Sequence, residues 1–77
     1  MIHYNKDWTI DALKLSEEMS ELSTRIIQQV NKPHKDIHAK IQDEVADVAY
    51  RLNKMILWYD AQAIRKRMVD KWGNKNE

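Results

Sequence analysis

Pro33 is the only proline in the chain, and it stands between two long runs of helical periodicity. Its ring cannot sit inside a helix and disfavours helical geometry at Lys32, so "NKPHKD" (31–36) reads as a turn. Before it, Trp8, Ala12, Leu15, Met19, Leu22, Ile26 and Val30 recur at spacings of three and four, one face of a helix that Asp7 or Thr9 would cap. After it, Ile37, Ile41, Val45, Val48, Leu52, Met55 and Tyr59 repeat the pattern, with Asp36 as the cap. Two amphipathic helices across a short turn predict an all-α antiparallel hairpin. Past Tyr59 the phase changes: Ile64, Met68 and Trp72 fall roughly opposite the earlier stripe. Either the helix breaks near Asp60 into a short C-terminal helix, or it continues and turns a new face. Gly73 ends the helical pattern, and "NKNE" (74–77) is expected to fray.

A chain of 77 residues is one domain, 1–77, and a core of that size rarely supplies more than about 3–5 kcal/mol without a staple. There is no cysteine, so no disulfide can serve, in keeping with a reducing cytoplasm. Oligomerisation or a bound metal remain. A second apolar stripe, Tyr50, Leu57, Ile64 and Met68, lies on the side of the second helix away from the hairpin. It would be covered by a folded-back third helix or by a partner subunit, the second giving a multi-helix bundle as a homodimer or homotetramer. The net charge of +1 is low for a binder of bulk nucleic acid, although Arg65, Lys66, Arg67, Lys71 and Lys75 make the C-terminal end basic. The longest fully apolar run, Met55–Tyr59, is too short to span a bilayer, and "MIHYNKDWT" has no signal-peptide core. The expectation is a cytoplasmic protein with neither membrane nor nucleic acid as partner.

The two helices carry matching acidic groups, "EEMSE" (17–21) and "DEVAD" (43–47). Glu18 and Glu21 are three apart, as are Glu44 and Asp47, so each pair shares one side of its helix. Glu18 and Asp47 are equally far along the chain from the Lys32–Pro33 junction, and so are Glu21 and Glu44. In an antiparallel hairpin these positions face one another. Glu18 and Glu44 lie about 60–85° from the centres of their apolar stripes, and Glu21 and Asp47 farther out, so the four border the seam. Close, part-buried carboxylates repel unless protonated or paired with cations. Lys14 and Arg25 flank the group, but no position neutralises all four, and a hard divalent cation supplies the missing charge. Mg²⁺, or Mn²⁺ in its place, prefers such oxygen ligands. The Glu-x-x-His pairs of di-iron bundles are absent, which speaks against iron.

"EEMSE" followed, after twenty-two intervening residues, by "EVAD" resembles the EExxE…ExxD signature of the MazG-type, all-α nucleoside triphosphate pyrophosphohydrolases. The similarity runs from Ala12 to Asp47 and more loosely to Trp72. It implies Mg²⁺-dependent hydrolysis of a nucleoside triphosphate between the α and β phosphates, giving a monophosphate and pyrophosphate. By position in the motif, Glu18, Glu21, Glu44 and Asp47 would be the metal ligands, and Glu17 would orient or deprotonate the attacking water. "IRKRMVDKWGNKN" resembles the family's basic region, with Lys66, Lys71 and Asn74 as candidate phosphate contacts. Such proteins usually build four or five helices per subunit, and this chain has room for two long helices and a short one, which again implies assembly.

For base stacking the candidates are Trp58, off the main stripe of its helix, and Trp8, on the first apolar stripe. His34 and His38 are four apart but do not make a zinc site, because His34 falls in the turn. Two other readings stand beside the enzyme: a catalytically silent helical interaction module using the Tyr50–Met68 stripe, and a small nucleic-acid binder using the basic last helix.

Overall fold

Asn5 starts the first helix by accepting the Trp8 backbone N–H on its Oδ1 (3.0 Å), which places α1 at Lys6–Asn31. The cap is therefore one turn earlier than Thr9, whose hydroxyl instead donates back to the Asn5 carbonyl (3.0 Å). Asp7 lies within the first turn, where it complements the helix dipole. The computed structural model describes residues 4–73, so Asn74 and the expected fraying of 74–77 lie outside the described residues.

The turn is held by one side chain of α1. Gln29 donates its Nε2 hydrogen to the Lys35 carbonyl (2.7 Å) and accepts the Ile37 N–H on its Oε1 (3.2 Å), closing both ends of the loop around Pro33. Asp36 then accepts the His38 N–H (2.9 Å) at the start of α2 (His38–Trp58). The boundary residue is Ile37, so Asp36 serves the first helical amide from one position farther out than a regular cap.

At the open end of the hairpin Trp8 Nε1 donates to the Tyr59 hydroxyl (3.1 Å) and Trp58 Nε1 donates to Asp11 Oδ2 (2.9 Å). The Tyr4 ring meets Trp8 edge-on, centroids 4.7 Å apart, and a hydrogen bond with Tyr59 pushes the Tyr4 phenol pKa up. These ties and the Gln29 clamp fix the antiparallel register from both ends.

The helix breaks after Tyr59. Asp60 has φ 66°, the one non-glycine residue in the left-handed region among the described residues, and its Oδ1 accepts the N–H groups of Gln62 (3.1 Å) and Ala63 (3.3 Å) to start α3 (Ala61–Trp72). Gly73 ends α3 with helical angles rather than a left-handed cap.

Among the described residues α3 touches α2 and not α1. It does not cover the second stripe: Leu57 remains 80% and Met68 60% exposed, and only Ile64 is half-buried. With α3 contacting α2 alone, the two long helices lie side by side as a single layer. No described residue is fully buried. The surface of 6662 Å² exceeds by roughly 1,700 Å² the ~4,900 Å² of a compact globule of this mass.

This single layer has two unlike faces. About 100° per residue puts Glu18, Glu21 and Arg25 of α1 on one side of the seam with Lys40, Glu44 and Asp47 of α2. Met19, Ile26, Val45 and Leu52 belong to the other side, where open apolar grooves of about 460 Å³ and 690 Å³ follow one another toward the turn.

Replacing Gln29 by Ala removes both hydrogen bonds that close the turn and should lower unfolding free energy by about 1–2 kcal/mol, read from urea unfolding. Gln29→Glu keeps the acceptor and loses the donor, so it should cost less. An unchanged midpoint in Gln29→Ala would mean that Pro33 and Asp36 set the turn without the clamp.

Candidate metal centre

Three of the four acidic residues converge. Carboxylate oxygens of Glu18, Glu44 and Asp47 lie within 4.8 Å of one another across the α1–α2 seam. Glu18 and Glu44 are half-buried because they border the apolar stripes, whereas Asp47 is exposed toward the rim. The fourth, Glu21, sits about 60° farther round α1 than Glu18 and is exposed. It does not join the triad but lines an adjoining hollow of about 390 Å³ with Thr24, Arg25 and Glu44.

The cluster is under-neutralised. Arg25 Nε stands 3.7 Å from Glu44 Oε1, close enough for attraction but not a hydrogen bond, and Lys14 Nζ is 3.8 Å from Glu17 Oε2 out in solvent. Glu18 Oε2 and Glu44 Oε2 are both buried without any hydrogen-bond partner. Two buried, unpartnered carboxylate oxygens within a group of three acids are unfavourable, and a cation would answer them. The donor set is all carboxylate oxygen, which suits Mg²⁺ or Mn²⁺ and leaves coordination positions for water or phosphate. The residues present therefore fit a hard divalent ion, held by Glu18, Glu44 and Asp47.

The remaining expected residues are spread along the molecule. Glu17 is next to Glu18 but exposed and ion-paired with Lys14. Trp58 is half-buried at the seam, its indole tied to α1 through Asp11, and Trp8 is tied to Tyr59. Both rings occupy the open end of the hairpin, beyond the carboxylates. Lys66 gives its ammonium to Asp70 (2.7 Å) on α3, Lys71 is exposed near the end of that helix, and Asn74 lies outside the described residues. Within this chain α3 is not packed against α1, so these cations are not brought to the triad.

Sequence reasoning placed Arg25 beside the acidic group but did not pair it with Glu44. Its signal was available: it is four residues after Glu21 and equally placed about the turn with Lys40, which precedes Glu44 by one turn. Among the described residues no helix is long and apolar enough to cross a membrane. Comparison with protein-family models, with curated proteins and with solved structures finds no match.

Titrating Mg²⁺ into the metal-free protein should raise its melting temperature by roughly 10–20 °C at an excess of about 100 Kd, where linkage stabilises by about 2.7 kcal/mol. Glu18→Gln removes one unpartnered buried charge without touching the Arg25–Glu44 pair. Its metal-free protein should melt higher than wild type, and the Mg²⁺ response should disappear. A wild-type melting temperature indifferent to Mg²⁺ and Mn²⁺ beyond ionic strength would remove the metal centre.

Proposed function

We propose that this protein is a divalent-metal-dependent nucleoside triphosphate pyrophosphohydrolase, resembling the MazG-type enzymes, and that it works as a homodimer or homotetramer. The observation that carries this reading is the triad of Glu18, Glu44 and Asp47 with two buried oxygens awaiting a cation. Glu18, Glu44 and Asp47 would hold Mg²⁺ or Mn²⁺, which would supply charge neutralisation at the phosphates and a more acidic water.

The chain's own residues do the rest. Glu18 and Glu44 are fixed by the seam, Asp47 closes the set at the rim, and Glu21 borders the hollow in which phosphate oxygens would lie. Glu17 takes the proton of the attacking water, and Lys14 beside it balances its charge. The water oxygen bonds to the α phosphorus, the bond from that phosphorus to the bridging oxygen breaks, and pyrophosphate leaves with that oxygen. Trp58 and Trp8 offer ring faces to the base at the open end. Lys66 and Lys71 would reach the phosphates from a neighbouring subunit.

Assembly rests on area. The excess of roughly 1,700 Å² over a compact globule is what one chain contributes to a large, obligate interface. The apolar face, opposite the carboxylates, is the surface to bury.

A second reading, a catalytically silent helical interaction module, draws on that same exposed apolar face. It requires no metal response and no turnover.

Pyrophosphate release should be seen from one or more common NTPs or dNTPs with Mg²⁺ and vanish with EDTA, the nucleoside monophosphate appearing in equal amount. Asp47→Asn should reduce it by at least the roughly 10–100-fold that loss of a supporting group costs at metal sites, and Glu21→Gln by less. Full activity in both variants, or none in folded wild type across the panel, would end this reading in favour of the interaction module.

In light scattering coupled to size exclusion, the mass should be a multiple of 9.2 kDa, and Ile26→Asp should lower it. A folded 9.2 kDa monomer would end the assembly part alone.

A further inference from the structure

On the polar face, one turn beyond the carboxylates toward Pro33, lies a cleft of about 360 Å³ whose charged lining is entirely cationic: Arg25, Lys32, Lys35 and Lys40, with the amides of Gln28 and Asn31. We propose that this cleft binds the oligophosphate tail of the nucleotide, seating the phosphates beyond the α phosphorus and then the departing pyrophosphate. The proposal rests on the hydrolase reading for its substrate, but the cleft's chemistry, four cations and two side-chain amides beside Ile27 and Ile37, selects an oligophosphate in its own right.

Three features support it. First, the cleft adjoins the triad through a shared residue: Arg25 lines it, also lines the hollow with Glu21 and Glu44, and stands 3.7 Å from Glu44 Oε1. Lys40 is one helical turn, about 5.4 Å, before Glu44 on the same side of α2.

Second, its three lysines are unspent. Among the described residues no ion pair engages Lys32, Lys35 or Lys40, whereas Lys66 is already held by Asp70 at 2.7 Å. Unpaired lysines gathered at one hollow repel each other, and a multivalent anion relieves that repulsion.

Third, the frame is preset. The Gln29 clamp and the bond from the Lys35 N–H to the Lys32 carbonyl (3.0 Å) fix the backbone that carries Lys32 and Lys35, and Gln28 Oε1 accepts from Arg25 Nη1 at 3.3 Å. A fixed frame lowers the ordering cost of binding.

The cations at the other end of the same face are differently placed. Arg51 and Lys54 both lie over the Tyr50 ring, 5.3 Å from its centroid, on the outer side of α2. The face thus has a direction: tryptophans at the open end, carboxylates in the middle, free cations at the turn.

The test uses inorganic tripolyphosphate, by calorimetry in EDTA, against wild type, Lys35→Gln/Lys40→Gln and the charge control Lys6→Gln. The double variant should bind roughly tenfold more weakly and the control as wild type. With nucleotide and Mg²⁺, the double variant should raise KM by a similar factor while kcat holds. Unchanged tripolyphosphate affinity and unchanged KM in the double variant overturn the cleft while leaving the hydrolase standing. Cleft-dependent tripolyphosphate binding without turnover of any nucleotide supports the cleft and removes the hydrolase. Absence of tripolyphosphate binding to wild type overturns the cleft outright.

Discussion

The seam between α1 and α2 is the one surface on which this fold depends. A hairpin one helix thick has a line of contact rather than a core, and along that line lie the only half-buried apolar residues of both long helices, Leu15, Leu22, Val48 and Met55 among them. Where the line would fray it is tied by polar bonds: the Gln29 clamp at the turn, and the Trp8–Tyr59 and Trp58–Asp11 pairs at the open end. Each such bond contributes only about 0.5–1.5 kcal/mol net, so their role is to set register more than to supply stability. Register is what a metal site needs, because sliding one helix by a turn would separate Glu18 from Glu44 and Asp47 by about 5.4 Å.

That dependence explains why the acids sit at the seam's edge and not on the open surface. On the surface, three carboxylates separate and hydrate, and a divalent ion gains little from them. At the edge, the helices hold Glu18 and Glu44 together and strip water from one oxygen of each. The strain is local, since Arg25 offsets only part of it from 3.7 Å. If the proposed ion binds there, the metal-free hairpin would give up stability in exchange for affinity.

Much of this was legible in the sequence because it follows from two periodicities and one proline. The spacing of three and four located both long helices, Pro33 located the turn, and equal distance from that turn paired Glu18 with Asp47. What was not legible depends on side chains reaching across the chain. Asn5 outcompetes Asp7 and Thr9 as the cap because its side chain reaches the Trp8 amide, a choice that spacing cannot make among adjacent polar residues. The break at Asp60 was one of two open readings, since a phase change fits a kink and a continuous helix alike. It is decided by a left-handed backbone that the carboxylate stabilises through two amides. Trp58, off the main stripe by periodicity, reaches the seam because Asp11 draws its indole across. Glu21 falls outside the triad because sixty degrees of rotation matters more than its place in the motif.

The two faces of the layer then answer different needs, and neither can be exchanged for the other. Apolar residues crowd the face of Met19, Ile26, Val45 and Leu52, which lowers free energy only when another surface covers it. Charges crowd the opposite face, where burial would be costly. On the proposed reading, a subunit that covered the first face would leave the second open, so assembly and substrate entry would not compete. The same division bears on α3, whose Met68, Val69 and Trp72 stay exposed while its Arg65, Lys66 and Arg67 lie among them. Standing on α2 alone, beyond the strained Asp60 junction, α3 is an arm whose apolar side gains by reaching a neighbour, and in doing so it would carry its cations to that neighbour.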